Sequence, residues 1–189
     1  MTQQLPHPAP GTPVAIGLGT NVGDRAGNLA RAINRIGAVV SELRASTVWA
    51  SDAMLLPGAP ADWAMPFLNA VVVGRTLIRP HALLDRLQRI ERDMGRGPHE
   101  KWAPRSIDLD LLLYGDAHID DARLTVPHRG IGERPFVLLP LAELWPGRCL
   151  PGVRHTLAAQ ASSYLDRHPD GLPFHARAVD ADVPLPASA

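Results

Sequence analysis

Lys101 to Tyr114 reads KWAPRSIDLDLLLY, and its second part, SIDLDLLLY, reads as a strand. Side chains on a strand alternate between faces with a period of two. The spacing therefore predicts Ile107, Leu109, Leu111 and Leu113 on one face, and Asp108, Asp110, Leu112 and Tyr114 on the other. Two carboxylates then stand side by side among apolar residues. Like charges so close raise one pKa or call for a cation between them. Magnesium meets that need: it takes one or two protein carboxylates and leaves its other positions to water and phosphate oxygens. Alone, D-x-D is a weak pattern, equally at home on a solvated sheet face. Here Arg105 stands three residues ahead, Pro104 fixes the approach, and Lys101 and Arg96 lie in the preceding loop. Cations beside carboxylates suit phosphoryl transfer, which is catalysed mainly by positioning and charge neutralisation.

Working outward, a helix is predicted upstream, with Pro80 in its first turn, Leu83, Leu87, Ile90 and Met94 as its buried stripe, and Gly95 as its stop. Before it, FLNAVVVGRTL (67–77) is a β-branched strand, and Ser46 to Trp49 another. Between them SDAMLLPGAPADWAMP (51–66) is too proline-rich for regular structure, and loops of that length are usually functional. Leu29, Ile33, Ile36 and Val40 fall at helical spacing, behind a short strand at Val14 to Gly19. The glycines of GLGTNVGD fit neither nucleotide-loop pattern and are read as turn glycines between strand and helix. Downstream, ARLTVPH is a short extended piece, PFVLLPLAEL a helix interrupted or opened by Pro140, and His155 to Asp166 a last short helix. The order predicts an α+β, ferredoxin-like βαββαβ sandwich, with helices on one face of an antiparallel sheet. Residues 1–12 are expected as a loose arm, 13–167 as one domain, and 168–189 as a flexible tail.

Nineteen basic and nineteen acidic residues leave no net charge, which removes the electrostatic case for nucleic acid. An apolar content of 46% excludes wholesale disorder. The single cysteine, Cys149, allows neither a disulfide framework nor a cysteine zinc site. The opening MTQQLPHPAP lacks a basic n-region and an apolar core, and no apolar run is long enough for a membrane helix. The expectation is a cytoplasmic monomer with no membrane and no nucleic-acid partner.

K-W-A-P-R-S-I-D-L-D-L-L matches, position for position, the signature of the 6-hydroxymethyl-7,8-dihydropterin pyrophosphokinase family. The resemblance extends to AIGLGTNVGD (15–24), FLN (67–69), RIERDMGR (89–96), LTVPH (124–128) and RPFVL (134–138), in family order from about Val14 to Pro146. It implies transfer of the β,γ-diphosphate of ATP to 6-hydroxymethyl-7,8-dihydropterin, on the way to folate. By resemblance, Asp108 and Asp110 are ligands of two magnesium ions that hold the ATP phosphates. Phe67 and Phe136 are similar to the aromatic pair that sandwiches the pterin, with Asn69 as the amide reading its edge, Ser51 and Leu55 as further ring contacts, and Arg134 as a substrate-side cation. Arg96 and Arg105 fall at the catalytic loop's two ends. Glu91, Lys101, Trp102, Leu111, Arg123, Thr125 and His128 fall at ATP-side positions. The loops near 51–66 and 95–106 are expected to fold over the cleft.

The chain departs from the family pattern in places. Its 96–102 loop is one residue shorter than in well-known bacterial members, Lys101 stands where some have arginine, and Asp52 where many have proline. Rival readings are a degenerate family paralogue, another two-metal phosphoryl or nucleotidyl transferase on this fold, and a non-catalytic nucleotide- or RNA-binding module. The second has no need of Phe67, Asn69 and Phe136 together. The third is disfavoured by zero net charge and only nine aromatic residues.

Overall fold

The computed structural model describes residues 11–97, 103–181 and 183. In chain order its elements are β1 (Thr12–Thr20), α1 (Arg25–Ile36), β2 (Ser41–Ala45), β3 (Val48–Ser51), β4 (Phe67–Thr76), α2 (Pro80–Asp93) and β5 (Asp108–Tyr114). Two short strands, β6 (Ile119–Asp120) and β7 (Thr125–Val126), precede α3 (Pro135–Leu144), α4 (Leu157–Asp166) and β8 (Arg177–Val179). The sheet runs β5-β1-β4-β3-β8, with β2 also pairing β4, and every pairing is antiparallel. β4 sits near its centre because AVVV is β-branched and buried on both faces. The first seven elements form the expected α+β core but read βαβββαβ, one strand more between the helices than the βαββαβ order. No helix among the described residues is long and apolar enough to cross a membrane.

Helix α1 starts where the Asp24 carboxylate accepts the Gly27 N–H at 3.0 Å. It buries Leu29, Ala32, Ile33 and Ile36, while α2 buries Leu83, Leu84, Leu87 and Ile90. Both stripes meet Val14, Ile16 and Leu18 of β1 and Leu109 and Leu111 of β5 in one core. A second core lies on the other side of the sheet. There Ala15, Val71, Val73, Leu112 and Leu113 pack under Phe136, Leu138 and Leu141 of α3 and Leu157 and Tyr164 of α4. The expectation of helices on one face is therefore corrected: both faces are covered. α3 runs through Pro140, and residues Pro135 to Ala142 are all buried, as a helix apolar all round requires.

Two further expectations change. Alternation along β5 holds only to Leu112. Ala15 pairs with Leu113 but Ile16 with Leu111, so Leu112 is an extra residue in a bulge. Leu113 consequently joins the α3 core, and Tyr114 turns to the α1–α2 side, where its hydroxyl donates to the Ile78 carbonyl at 3.0 Å. Nor does the chain go loose at His168. Leu172, Phe174 and Ala176 pack into the second core and β8 pairs with β3, so the ordered unit continues past 167. The cause is a sheet edge: without β8, β3 would present unpaired backbone groups.

The bulge has a measurable consequence. Leu113→Ala should cost about 2–5 kcal/mol in urea unfolding, as for a fully buried leucine. A double-mutant cycle should couple it to Leu141 across the second core by roughly 0.5 kcal/mol or more, and leave it uncoupled from Leu83. Coupling to Leu83 instead would show unbroken alternation along the strand.

Candidate active site

Strand pairing assembles a pocket at one end of the α3-side face. Gly17 lies opposite Asp110 on β5, and Gly19 opposite Asp108. On the other flank Gly19 lies opposite Asn69, and Ser51 opposite Phe67. Deeper along the face, α3 covers the sheet; here only its first turn reaches over, bringing Phe136 and Val137. A cavity of about 90 Å³ remains, lined by these residues with Arg105 and Arg134. Gly17 and Gly19 are thus strand residues that floor the cavity, which corrects their reading as turn glycines. A Cβ on Gly19 would sit 3.3 Å from Asn69 Oδ1 and 3.5 Å from the Phe67 ring. Gly23, at φ +69°, is the one of this group in a turn conformation.

Asn69 is buried, and its Nδ2 donates to Ser51 Oγ at 3.0 Å. Its Oδ1 points over Gly19 into the cavity. An amide held on its donor side and open on its acceptor side suits the edge of a flat heterocycle. Phe67 and Phe136 offer the apolar walls.

Charge gathers along the start of β5. Arg96 reaches it through the way α2 ends: the Gly95 N–H donates to the Arg92 carbonyl and the Arg96 N–H to the Glu91 carbonyl, with Gly95 at φ +89°. That turn folds Arg96 back beside its own helix. Its guanidinium bonds the Glu91 carboxylate and lies 2.6 Å from Asp108 Oδ1. Arg105 approaches the other oxygen, Oδ2, at 3.1 Å. Arg105 is placed by Asn21, whose Oδ1 accepts the Arg105 N–H at 2.8 Å while its Nδ2 donates to the Met65 carbonyl. Asp108 thus has a cation on each oxygen. Asp110 has His128 Nε2 no nearer than 4.0 Å. His128 Nδ1 accepts the Gly130 N–H, which leaves Nε2 to carry the proton toward Asp110. Although 42% of the Asp110 side chain stays exposed, burial on its inner side and then the Asp108 charge hold its carboxyl above the usual range.

Two shallower clefts open on the far side of β5. One is lined by Asp110, Leu111, Arg123, Thr125 and His128. The other is lined by Glu91, Arg96, Asp108, Asp110, Arg123 and Gln88. Asp110 borders both clefts and the inner cavity. Arg123 pairs with Asp85, and Thr125 Oγ1 donates to Asp120 at 3.0 Å. Most of the residues singled out from sequence therefore converge on one end of the sheet. Leu55 does not line the cavity; it is exposed, and Met54 takes the lining position. Lys101 and Trp102 lie outside the described residues. Sequence reasoning missed Gly17, Gly19, Asn21, Asp52, Met54 and Gln88; for the two glycines, counting by twos from Asp108 across a paired strand would have found them. A larger cavity, about 1260 Å³, lies at the opposite end of the sheet among Arg44, Arg75, Trp145 and Arg148 and contains none of the candidate residues.

The donor set fits a hard divalent cation held together with phosphate. Asp108 and Asp110 supply oxygens to one cavity, and no third acidic, histidine or cysteine ligand joins them among the described residues. That leaves coordination positions for water and ligand oxygens, the habit of magnesium rather than of a structural zinc.

Glu91 yields a pH prediction. Burial pushes its carboxyl up to about 7, against the opposing pull of Arg96 and the Leu109 N–H, which it accepts at 2.7 Å. Between 4.5, the ordinary value for such a carboxyl, and about 7 the folded state binds more protons than the unfolded one. Stability from this group therefore falls as pH rises through that window. Glu91→Gln should remove the fall, so its urea midpoint should gain on the wild type between pH 5 and 8. Parallel midpoints would contradict the burial argument.

Comparison with known proteins identifies the family. Residues 15–146 match the family model described as 7,8-dihydro-6-hydroxymethylpterin-pyrophosphokinase. A Methylorubrum extorquens protein named 2-amino-4-hydroxy-6-hydroxymethyldihydropteridine pyrophosphokinase is 40% identical over 156 residues, covering 80% of this chain and 96% of that protein. A Chlamydia caviae folate synthesis bifunctional protein is 36% identical over 148 residues, 76% of this chain, and the match spans only 33% of its length. A crystal structure of HPPK-DHPS in complex with substrates superposes with TM-score 0.69 at 14% identity, over 89% of this chain and 48% of that one, which speaks to the fold alone. With the signature strand, the cavity and this match in agreement, the chain belongs to the 7,8-dihydro-6-hydroxymethylpterin-pyrophosphokinase family.

Proposed function

We propose that this chain transfers the β,γ-diphosphate of ATP to 6-hydroxymethyl-7,8-dihydropterin, releasing AMP, as a cytoplasmic monomer of folate biosynthesis. The observation that carries this reading is the position of Asp110. It borders at once an aromatic-walled cavity with an open amide and two clefts rich in cations. A flat ring in the cavity presents its substituent where a polyphosphate in the clefts presents its chain. The names of the full-length relatives agree with that pairing of ligands.

Phe67 and Phe136 hold the ring and Asn69 reads its edge. Arg96, Arg105, Arg123 and His128 neutralise phosphate oxygens, and Leu111 and Thr125 line the nucleotide side. Asp108 and Asp110 would hold two magnesium ions, which would supply further neutralisation and a lowered pKa for the attacking hydroxyl. The hydroxymethyl oxygen bonds to the β-phosphorus, the β-phosphorus to bridging-oxygen bond breaks, AMP keeps that oxygen, and the hydroxyl proton passes to solvent. Asp108 brings Arg96 and Arg105 to the point where charge develops, and preorganised cations there act on the transition state.

The products test it. With ATP, magnesium and the hydroxymethyl pterin, AMP should appear in step with pterin consumed, and neither should change when pterin or metal is omitted. Asp110→Asn should lower the rate by about a hundredfold or more, through loss of a ligand charge, while the protein stays folded. ADP as the main product would indicate γ-transfer, and pyrophosphate attack at the α-phosphorus; either would overturn the proposal.

A further inference from the structure

We infer that the segment Leu172–Val179 is a positioning element for the ring-binding cavity, setting the Phe136 ring and the start of the loop that follows β3. The inference rests on the functional reading above and extends it to residues beyond the family match, which ends at residue 146.

The observation that starts the argument is a backbone outlier. Phe174 lies at φ 59°, ψ 24°, and His175 at φ 44°. Two successive residues with side chains in the left-handed region are disfavoured, because the Cβ crowds the following carbonyl. Such strain persists only where surrounding contacts over-determine it, and it gathers at functional sites. Here the contacts come from residues of the cavity wall. The Asp52 N–H donates to the Phe174 carbonyl at 2.8 Å, and the Asp52 carboxylate meets the His175 ring at 2.5 Å. The Phe174 ring packs edge-on against Phe136, with centroids 5.8 Å apart and planes at 73°. Asp52 and Phe136 both line the cavity, and Asp52 follows Ser51 directly. Beyond the turn, Arg177 pairs with Ala50 and Ala178 with Trp49, so the strained residues are clamped just beside the end of β3.

Each contact acts on geometry more than on stability. The His175 and Asp52 side chains are 86% and 56% exposed, and an ion pair in water contributes little to folding. What it does is hold the first residue of the loop against a fixed turn. The edge contact limits rotation of the Phe136 ring, whose plane decides whether a flat ligand stacks. The nucleotide-side clefts touch none of these residues. The segment therefore bears on the ring and not on ATP.

Steady-state kinetics of the full chain test this, with melting temperatures measured alongside. Phe174→Ala should raise KM for the pterin about three- to tenfold, the worth of one aromatic pair, with KM for ATP within about twofold and kcat little changed. Phe174→Tyr should restore the pterin KM. His175→Gly removes the clasp but relieves the left-handed strain, so the melting temperature should hold or rise while the pterin KM still increases about threefold. A segment that merely covers the sheet edge would instead let activity follow stability. Unchanged pterin KM in both Phe174→Ala and His175→Gly, or equal rises for pterin and ATP, would overturn the inference alone. A wild-type chain that consumes no pterin would overturn the functional reading, and this inference with it.

Discussion

The antiparallel register of β1 against β5 is the constraint on which the site rests. It sets Gly19 beside Asp108 and Gly17 beside Asp110, so each carboxylate has an empty neighbour on the same face. The same strand, β1, presents Gly19 to Asn69 on its other edge. Three strands thus contribute small, acidic and amide positions to one patch. α3 then decides where that patch ends, because its buried first turn covers the face from Phe136 inward. A one-residue slip of β5 would send both aspartates into the α1–α2 core, where a carboxylate is costly to bury.

Electrostatics within the patch is asymmetric. Asp108 is met on both oxygens by guanidinium groups, one delivered by the glycine turn at the end of α2 and one by Asn21 at the end of β1. Asp110 is not neutralised in this way, and burial with the Asp108 charge raises its pKa. The pair therefore combines a satisfied carboxylate with one that gains most from an arriving cation. Glu91 supports the arrangement from behind, accepting the Leu109 N–H and pairing with Arg96.

Much of this was legible in the sequence. Helices α1 and α2, the strand character of 67–76 and the D-x-D parity of Asp108 and Asp110 all follow from local periodicity, which a single segment carries in full. What local periodicity lacks is the partner. Gly17 and Gly19 look like turn residues until β5 is paired beside them, and Leu113 looks like a neighbour of Leu111 until the bulge at Leu112 inserts its extra residue. The second helical layer was illegible for a related reason: PFVLLPLA has no polar side to say which face of the sheet it meets. The segment around Phe174 carries its meaning only through partners distant in sequence: Phe136, Asp52 and β3.

The central claim is that strand register makes Gly19 the floor of the ring cavity while the nucleotide clefts lie beyond β5. Calorimetry of Gly19→Val tests it most directly, using magnesium with a non-hydrolysable ATP analogue, then the pterin. The added methyls would enter the space beside Asn69 and Phe67, so pterin affinity should fall by about tenfold or more, while affinity for the analogue stays within about threefold. Wild-type pterin affinity in this variant, or equal loss of both ligands, would contradict the account.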